Sequence, residues 1–186
     1  MGNDIDVSQH FLKMIRTGQF KVEKDGRIIS QGVQMIMIPA LTFSKIHKDV
    51  PPKLLYKFGE YQAKKGIELH SKFFGLSLVK VAIKFSEKLL EKTLDFIGKS
   101  WMADGYGIFK VEKFDWEKRV IIISNYVNPI ARCYLRDFGK SKRPIDYYIS
   151  GLFGGGLSIL LKRKVKCVEE KCIACGDPAC VFVIRW

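Results

Sequence analysis

The cysteines of this chain concentrate in one stretch, Cys167-Val-Glu-Glu-Lys-Cys172-Ile-Ala-Cys175-Gly-Asp-Pro-Ala-Cys180, which holds four of the five. A thiolate metal site needs ligands that converge on one point, and the Gly-Asp-Pro turn folds such a loop back on itself. Zn²⁺ suits these donors because it accepts sulfur and carboxylate together and has no redox chemistry. The stretch therefore predicts a zinc-binding loop, against the alternative that Cys172 and Cys180 are small buried apolar residues.

The segments before and after this loop alternate between strand-like and helix-like patterns. The predicted strands cover 107–114, 119–127, 164–169 and 181–186, and the predicted helices cover 85–101 and 145–161. No internal repeat or linker interrupts this order. The pattern predicts a single-domain α+β fold in which an antiparallel β-sheet packs against amphipathic helices, with a C-terminal cysteine-rich metal loop.

The N-terminal half is predicted to be mostly helical behind a small hairpin. Its elements are a helix over 7–17, a hairpin that pairs 20–23 with 32–38, and helices over 39–48 and from 51 past 69. We expect residues 1–32 to form an N-terminal helix and hairpin extension, and residues 33–186 to form the main domain.

Composition narrows the class of protein. The chain has 186 residues, of which 47% are hydrophobic, enough to bury a core without disulfides. Its longest uncharged apolar stretches, 32–42 and 147–161, are shorter than the roughly 20 residues that span a bilayer. The first residues have neither a signal peptide pattern nor a myristoylation signal, so we expect a cytoplasmic protein.

The net charge of +13 comes from 24 Lys and 8 Arg against 19 acidic residues. Lysines scattered along amphipathic segments are typical of a solvated helix face. No helix-turn-helix, zinc-finger or RNP pattern organises them. The charge permits nucleic acid or an anionic membrane surface as a partner, but solubility explains it equally well.

Two segments carry a resemblance to a known family. The stretch Glu169-Glu170-Lys171-Cys172-Ile173-Ala174-Cys175-Gly176-Asp177-Pro178-Ala179-Cys180-Val181-Phe182 resembles the closing signature of the 4-vinyl reductase domain family. The segment Tyr147-Tyr148-Ile149-Ser150-Gly151-Leu152-Phe153 resembles its glycine-containing helix, and the order of elements is similar from about Val33 to Trp186. The resemblance implies a ligand-binding α+β fold shared with the sensor domains of aromatic-responsive bacterial regulators and with transport-protein-particle subunits of vesicle tethering.

The resemblance also implies a set of zinc ligands. The sensor branch holds zinc through one Glu and three Cys. Carried over by position, three of these ligands are Glu169, Cys172 and Cys180. The remaining Cys is replaced here by Asp146, so either Asp146 or Cys175 completes the set.

The apolar helix at 145–161 predicts a ligand pocket. It is apolar around most of its circumference and contains Gly151, Gly154, Gly155 and Gly156, a composition that suits a backbone approached by a ligand. We expect a cavity beneath Tyr147–Phe153, with Tyr147, Tyr148, Gly151 and Phe153 in contact with a small apolar or aromatic molecule. The competing explanation is a close contact between helices.

Three functions follow, in this order of preference. The first is a non-enzymatic sensor or carrier module with a structural zinc site, since no nucleophile elbow, metalloprotease pair or dinucleotide fingerprint is present. The second is an assembly or tethering adaptor, and a homodimer through the N-terminal helices is expected. The third is a redox switch or oxidoreductase accessory protein that uses Cys172 and Cys175.

Several other residues are expected to be structural. Cys167 alternates with Glu169 on one strand face and is predicted to be packed there, and the isolated Cys133 is predicted to be structural. The histidines His10, His47 and His70 have no paired spacing, and each is expected at the surface.

Overall fold

A computed structural model describes residues 7–74 and 87–186 of the chain. The helices are α1 (Val7–Arg16), α2 (Ala40–Asp49), α3 (Pro52–Phe74), α4 (Glu87–Ala103), α5 (Pro129–Phe138) and α6 (Tyr147–Leu161). The strands are β1 (Phe20–Val22), β2 (Ile28–Ser30), β3 (Val33–Met35), β4 (Phe109–Asp115), β5 (Val120–Asn125), β6 (Lys166–Lys171) and β7 (Cys180–Arg185). Within these residues, no helix combines the length and the apolar character needed to cross a membrane.

The C-terminal half contains a four-stranded antiparallel sheet in the order β4-β5-β7-β6. The central strands β5 and β7 are rich in branched apolar residues, and Ile121, Phe182 and Ile184 are completely buried. Such residues suit a pleated surface that is covered on one side. The α+β fold predicted from the sequence is confirmed.

Helix α6 lies in the core of the protein. Of its fifteen residues, all but Tyr147, Ser158 and Ile159 are buried. It packs against both α3 and strand β6. A helix that is apolar on every side must be enclosed in this way, and its first turn is thereby held beside the cysteine loop between β6 and β7.

Most predicted elements are found, with three differences. The predicted hairpin between 20–23 and 32–38 is wrong in its pairing, because β2 lies between β1 and β3 in a three-stranded antiparallel sheet. Helix α5 was not predicted. The first residues of the predicted helix at 85–101 lie outside the described residues, and the rest forms α4.

The small N-terminal sheet bears on the expected domain boundary. Strand β3 begins at Val33 and pairs with β2, so that Ser30 lies opposite Val33. The boundary between residues 32 and 33 therefore falls inside one sheet. The division of the chain at this point stays a prediction.

Candidate functional site

Two side chains that begin helices meet beside the cysteine loop. Asn128 caps α5, where its Oδ1 accepts from the backbone N–H of Ala131. Asp146 caps α6, where its Oδ1 accepts from the backbone N–H of Ile149. Both side chains are completely buried, and Asn128 Nδ2 donates to Asp146 Oδ2 at 2.7 Å.

A group of buried metal-binding side chains lies next to these caps. Glu169 Oε, Cys172 Sγ and Cys180 Sγ all lie within 4.8 Å of one another. Strand β6 supplies Glu169, and Cys180 begins β7. The sequence predicted all three residues as ligands, and the structure brings them together. Two thiols and a carboxylate form a donor set that zinc accepts.

The local backbone turns Cys172 toward Cys180. After β6 the chain makes a short 3₁₀ helix (Ile173–Cys175), which ends at Gly176 with a left-handed φ of 91°. The backbone N–H of Ile173 donates to Cys180 Sγ at 3.4 Å. Asp177 fastens the turn by accepting from the backbone N–H of Cys172 at 2.9 Å.

The two thiols share a proton unequally. Cys180 Sγ donates to Cys172 Sγ across 3.9 Å, and this hydrogen bond lowers the pKa of Cys172 to about 6. The same bond, together with burial, raises the pKa of Cys180. Burial also raises the pKa of Glu169, with further contributions from Cys172 and Asp146. At neutral pH, Cys172 is therefore a thiolate, the form of cysteine that binds metals.

Glu169 uses only one of its two carboxyl oxygens. Its Oε2 accepts from the backbone N–H of Asp146 at 2.7 Å. Its Oε1 is buried and has no hydrogen-bond partner. An unpaired buried oxygen costs free energy, and an ion held between this oxygen and the two sulfur atoms would remove that cost. The donor set therefore fits a metal.

Asp146 and Cys175 lie beside this group and not within it. Each Oδ of Asp146 already accepts a hydrogen bond, one from Ile149 and one from Asn128. Cys175 is partly exposed on the short 3₁₀ helix, and burial raises its pKa to about 11. Neither residue presents a free donor to the group as Glu169 does.

Sequence reasoning missed His47, which was expected at the surface and is buried on α2. That expectation is wrong because α2 packs its His47 side against the start of α6. His47 Nε2 lies 3.3 Å from Asp146 Oδ1, without a hydrogen bond. Burial lowers the pKa of His47, but the contact with Asp146 raises it by more.

The glycines of α6 make a close contact with α3. A Cβ added to Gly151 would overlap the backbone carbonyl of Tyr56, and one added to Gly155 would lie 2.7 Å from the Cα of Glu60. On the α3 side, a Cβ added to Gly59 would overlap the carbonyl of Tyr148. The competing explanation for these glycines, a close contact between helices, therefore accounts for them inside a single chain.

A chain of aromatic rings surrounds the remaining faces of α6. Ring centroids lie 5.0–6.5 Å apart along the series Phe43, Tyr148, Tyr106, Trp101, Phe153 and Phe182. The hydroxyls of Tyr106 and Tyr148 are 3.1 Å apart, and Tyr148 also donates to Gln62 Oε1. Burial raises the pKa of both tyrosines, so their hydroxyls stay protonated.

The residues predicted to bind a ligand differ in their surroundings. Tyr148 and Phe153 are members of the aromatic series, Tyr147 is half-buried at its margin, and Gly151 faces α3. A groove of about 520 Å³ lies elsewhere, between α2 and α5, where Leu41, Ile46 and Phe138 line it. Ligand contact at the four predicted residues stays a prediction.

Residues 127–186 match the family model of the 4-vinyl reductase domain. This segment belongs to the 4-vinyl reductase domain family. The match confirms the resemblance drawn from the sequence, and it includes α5, α6 and the cysteine loop. Glu169, Cys172 and Cys180 lie inside the 4-vinyl reductase segment, whereas His47 lies outside it.

Solved structures of similar fold extend this relationship over the whole chain. The phenol-responsive sensory domain of the transcription activator PoxR, solved with phenol, has a TM-score of 0.71 and 15% identity over 98% of this chain and 91% of that one. Trafficking protein particle complex subunit 3 from Naegleria fowleri, covalently bound to palmitic acid, has a TM-score of 0.55 and 20% identity over 78% and 93%. A vinyl-4-reductase family protein from Methanocaldococcus jannaschii has a TM-score of 0.50 and 16% identity over 100% and 98%.

Two uncharacterized proteins of Methanocaldococcus jannaschii are similar in sequence. One is 23% identical over 177 residues, which are 95% of this chain and 91% of that protein. The other is 27% identical over 100 residues, about half of each chain. At these identities, the fold and the 4-vinyl reductase segment are what the comparisons share with this chain.

Proposed function

We propose that this protein is a non-catalytic module that binds a small aromatic or apolar molecule and is stabilised by a structural zinc ion. The observation that carries the ligand part is the Tyr106–Tyr148 hydroxyl pair, which lies among aromatic rings. Small-molecule sites typically combine apolar lining with a few polar groups that fix orientation. A phenol-sized molecule would use both features.

The position of these rings supports binding over simple filling of the core. Tyr148 is buried, yet its hydroxyl bonds to Gln62, an exposed residue of α3. Trp101 and Tyr106 are only partly buried. A small ligand could therefore reach the hydroxyl pair from this side by displacing the Gln62 side chain. The PoxR domain of similar fold was solved with phenol, which favours the same ligand class here.

The zinc part of the proposal is supported by the donor set and the unpaired Glu169 Oε1. Glu169, Cys172 and Cys180 would hold the ion, which would join β6, β7 and the first turn of α6. A closed site made of protein ligands leaves no position for a reacting water molecule, so its role would be structural. A redox role of Cys172 and Cys175 stays a prediction.

Thermal unfolding in the presence of phenol and of toluene tests the ligand part. A bound ligand at 100 times its Kd adds about 2.7 kcal/mol to the free energy of unfolding. We expect a saturable rise in the melting temperature with phenol. If neither compound raises it up to its solubility limit, the rings only fill the core and the ligand part is wrong.

A second candidate function, assembly through a homodimer, is favoured by an exposed apolar stripe on α3. Leu54, Phe58 and Tyr61 are 42%, 51% and 64% exposed. Their spacing of four and three residues places them on one helix face, opposite the face that packs on α6. Exposed apolar patches of this kind mark interaction surfaces, and a second copy of the chain is the partner we propose.

A further inference from the structure

Two unpaired polar atoms converge on the candidate metal centre. Within residues 7–74 and 87–186, the buried side-chain nitrogen and oxygen atoms that lack a hydrogen-bond partner are His47 Nε2 and Glu169 Oε1. Both residues contact Asp146: His47 lies against its carboxylate, and Glu169 accepts from its backbone N–H. Two such atoms at one place indicate a missing partner that both can bind.

The other ring nitrogen of His47 shows which atom is free to bind an ion. His47 Nδ1 lies 2.8 Å from the backbone oxygen of Phe43. A carbonyl oxygen only accepts hydrogen bonds, so Nδ1 carries the proton. In the neutral ring, Nε2 then carries the lone pair. A histidine that binds a metal through one nitrogen commonly donates to a backbone carbonyl through the other.

The surroundings of Nε2 require a positive charge. Asp146 Oδ1 is 3.3 Å away, and both side chains are fully shielded from solvent. A lone pair that faces a carboxylate at this distance is repulsive. Either a second proton on the ring or a cation close to Nε2 relieves the repulsion. A proton is the weaker explanation, because the geometry at Nε2 gives no hydrogen bond to Asp146.

We infer that His47 completes the zinc site, with Nε2 joining Glu169, Cys172 and Cys180 as the fourth ligand. The inference rests on the metal part of the proposed function. Asp146 then acts beside the ion as the cap of α6 and not as a ligand, since both of its oxygens are already hydrogen bonded.

Binding requires a small movement of the ring. Cys172 and Cys180 are already 3.9 Å apart, close to the roughly 3.8 Å that two thiolates adopt on a tetrahedral zinc. His47 Nε2 does not lie within 4.8 Å of all three other donors. We expect metal binding to draw α2 toward the loop, which would tie the N-terminal half to the 4-vinyl reductase segment through the ion.

Cadmium NMR tests this ligation directly in the intact wild-type protein. The chain is labelled with ¹⁵N in its histidines and loaded with ¹¹³Cd, which takes the same ligands as zinc. We expect scalar coupling between ¹¹³Cd and one histidine nitrogen, assigned to His47 Nε2 by its loss in His47→Gln. His10→Gln, on α1, is the matched control and should keep the coupling.

Zinc affinity, measured by competition with a chromophoric chelator, gives a second readout. Loss of a residue that only supports a ligand weakens binding about 10-fold to 100-fold. Loss of His47 as a ligand should therefore weaken zinc binding at least about 100-fold in His47→Gln. Asp146→Asn, which preserves the size of the capping side chain, should weaken it less.

The outcomes separate this inference from the proposed function. If wild-type protein binds neither zinc nor cadmium, the metal part of the proposal fails and the inference fails with it. If the wild type binds metal, but no histidine nitrogen couples to ¹¹³Cd, His47 is not a ligand while the zinc site stands. The wild-type spectrum decides this even if His47→Gln does not fold.

Discussion

Asn128 and Asp146, whose side chains begin helices α5 and α6, are hydrogen bonded to each other at 2.7 Å. Each side chain satisfies a backbone N–H of its own helix and at the same time its neighbour. The bond fixes the start of α6, and with it the backbone N–H of Asp146 that holds Glu169. The helix caps therefore position one member of the candidate metal centre.

Removing the Asn128 side chain should destabilise the protein strongly. Asn128→Ala loses the cap of α5 and leaves Asp146 Oδ2 buried without a partner, at a combined cost of about 2–4 kcal/mol. Asn128→Ser is the matched variant, because serine preserves the cap but cannot reach Asp146 as the amide does. Urea unfolding should rank the wild type above Asn128→Ser and Asn128→Ser above Asn128→Ala. Equal losses in the two variants would mean that the bond to Asp146 adds nothing.

The contact between α3 and α6 makes a sharp prediction about two glycines of the same helix. In Gly151→Ala, the new Cβ would overlap the Tyr56 carbonyl, so α6 must move away from α3. We expect a loss of about 2–4 kcal/mol, as for other overpacked or displaced core contacts.

Gly156→Ala is the control for this substitution. Its Cβ would meet only the Ala63 Cβ and the Ile67 Cδ1, each at an ordinary 3.7 Å. Alanine is a better helix former by about 1 kcal/mol, so this variant should be as stable as the wild type or more stable. Thermal unfolding of both variants measures the difference. A Gly151→Ala protein as stable as Gly156→Ala would contradict the close contact.

The sequence predicted the C-terminal fold well because its signals are local. Alternating apolar residues define β4, β5 and β7, and the spacing of four cysteines identifies the loop that holds Cys172 and Cys180. Helix α5 could also have been predicted, since Asn128-Pro129 is a typical helix start, with a capping side chain before a proline. Strand β2 has too few residues to show a pattern of its own.

The burial of His47 could not be predicted in this way. Its contact, Asp146, lies 99 positions further along the chain, and no local periodicity relates the two residues. The reason for the α6 glycines also lay outside their own segment. Gly59 on α3 offers a matching small residue, but only the packing of the two helices shows that the glycines face each other.

Removal of Cys180 tests the metal centre against its neighbour Cys175. Cys180→Ala should lower the zinc content from about one ion per chain to near zero, measured on protein purified without added metal. Because metal-binding energy is folding energy in such sites, the variant should also lose about 3–5 kcal/mol of stability. Cys175→Ala should retain the metal, since Cys175 lies outside the ligand group. A metal-free wild type, with Cys180→Ala equally stable, would falsify the site.

The hydroxyl of Tyr148 should set the preference for a polar aromatic ligand. Tyr148→Phe preserves the ring contact with Phe43 and removes the bonds to Tyr106 and Gln62. One such hydrogen bond is worth about 0.5–1.5 kcal/mol. Phenol should therefore bind about 2-fold to 10-fold more weakly to the variant, whereas toluene should bind about as well as before. Tyr134→Phe, on α5, is the control, and an equal loss for both compounds would mean that Tyr148 acts only through packing.

The exposed stripe on α3 predicts an oligomeric state that can be altered by one charge. Wild-type protein at tens of micromolar should have the mass of a dimer in light scattering, because Leu54, Phe58 and Tyr61 are too exposed to serve the fold of a single chain. Phe58→Glu places a charge at the centre of this stripe and should yield monomers with an unchanged melting temperature at low protein concentration. Val168→Glu introduces the same charge at an apolar residue of β6 that is 39% exposed, and it should remain dimeric. A monomeric wild type would remove the adaptor function, and a dimer that persists in Phe58→Glu would place the interface on another surface.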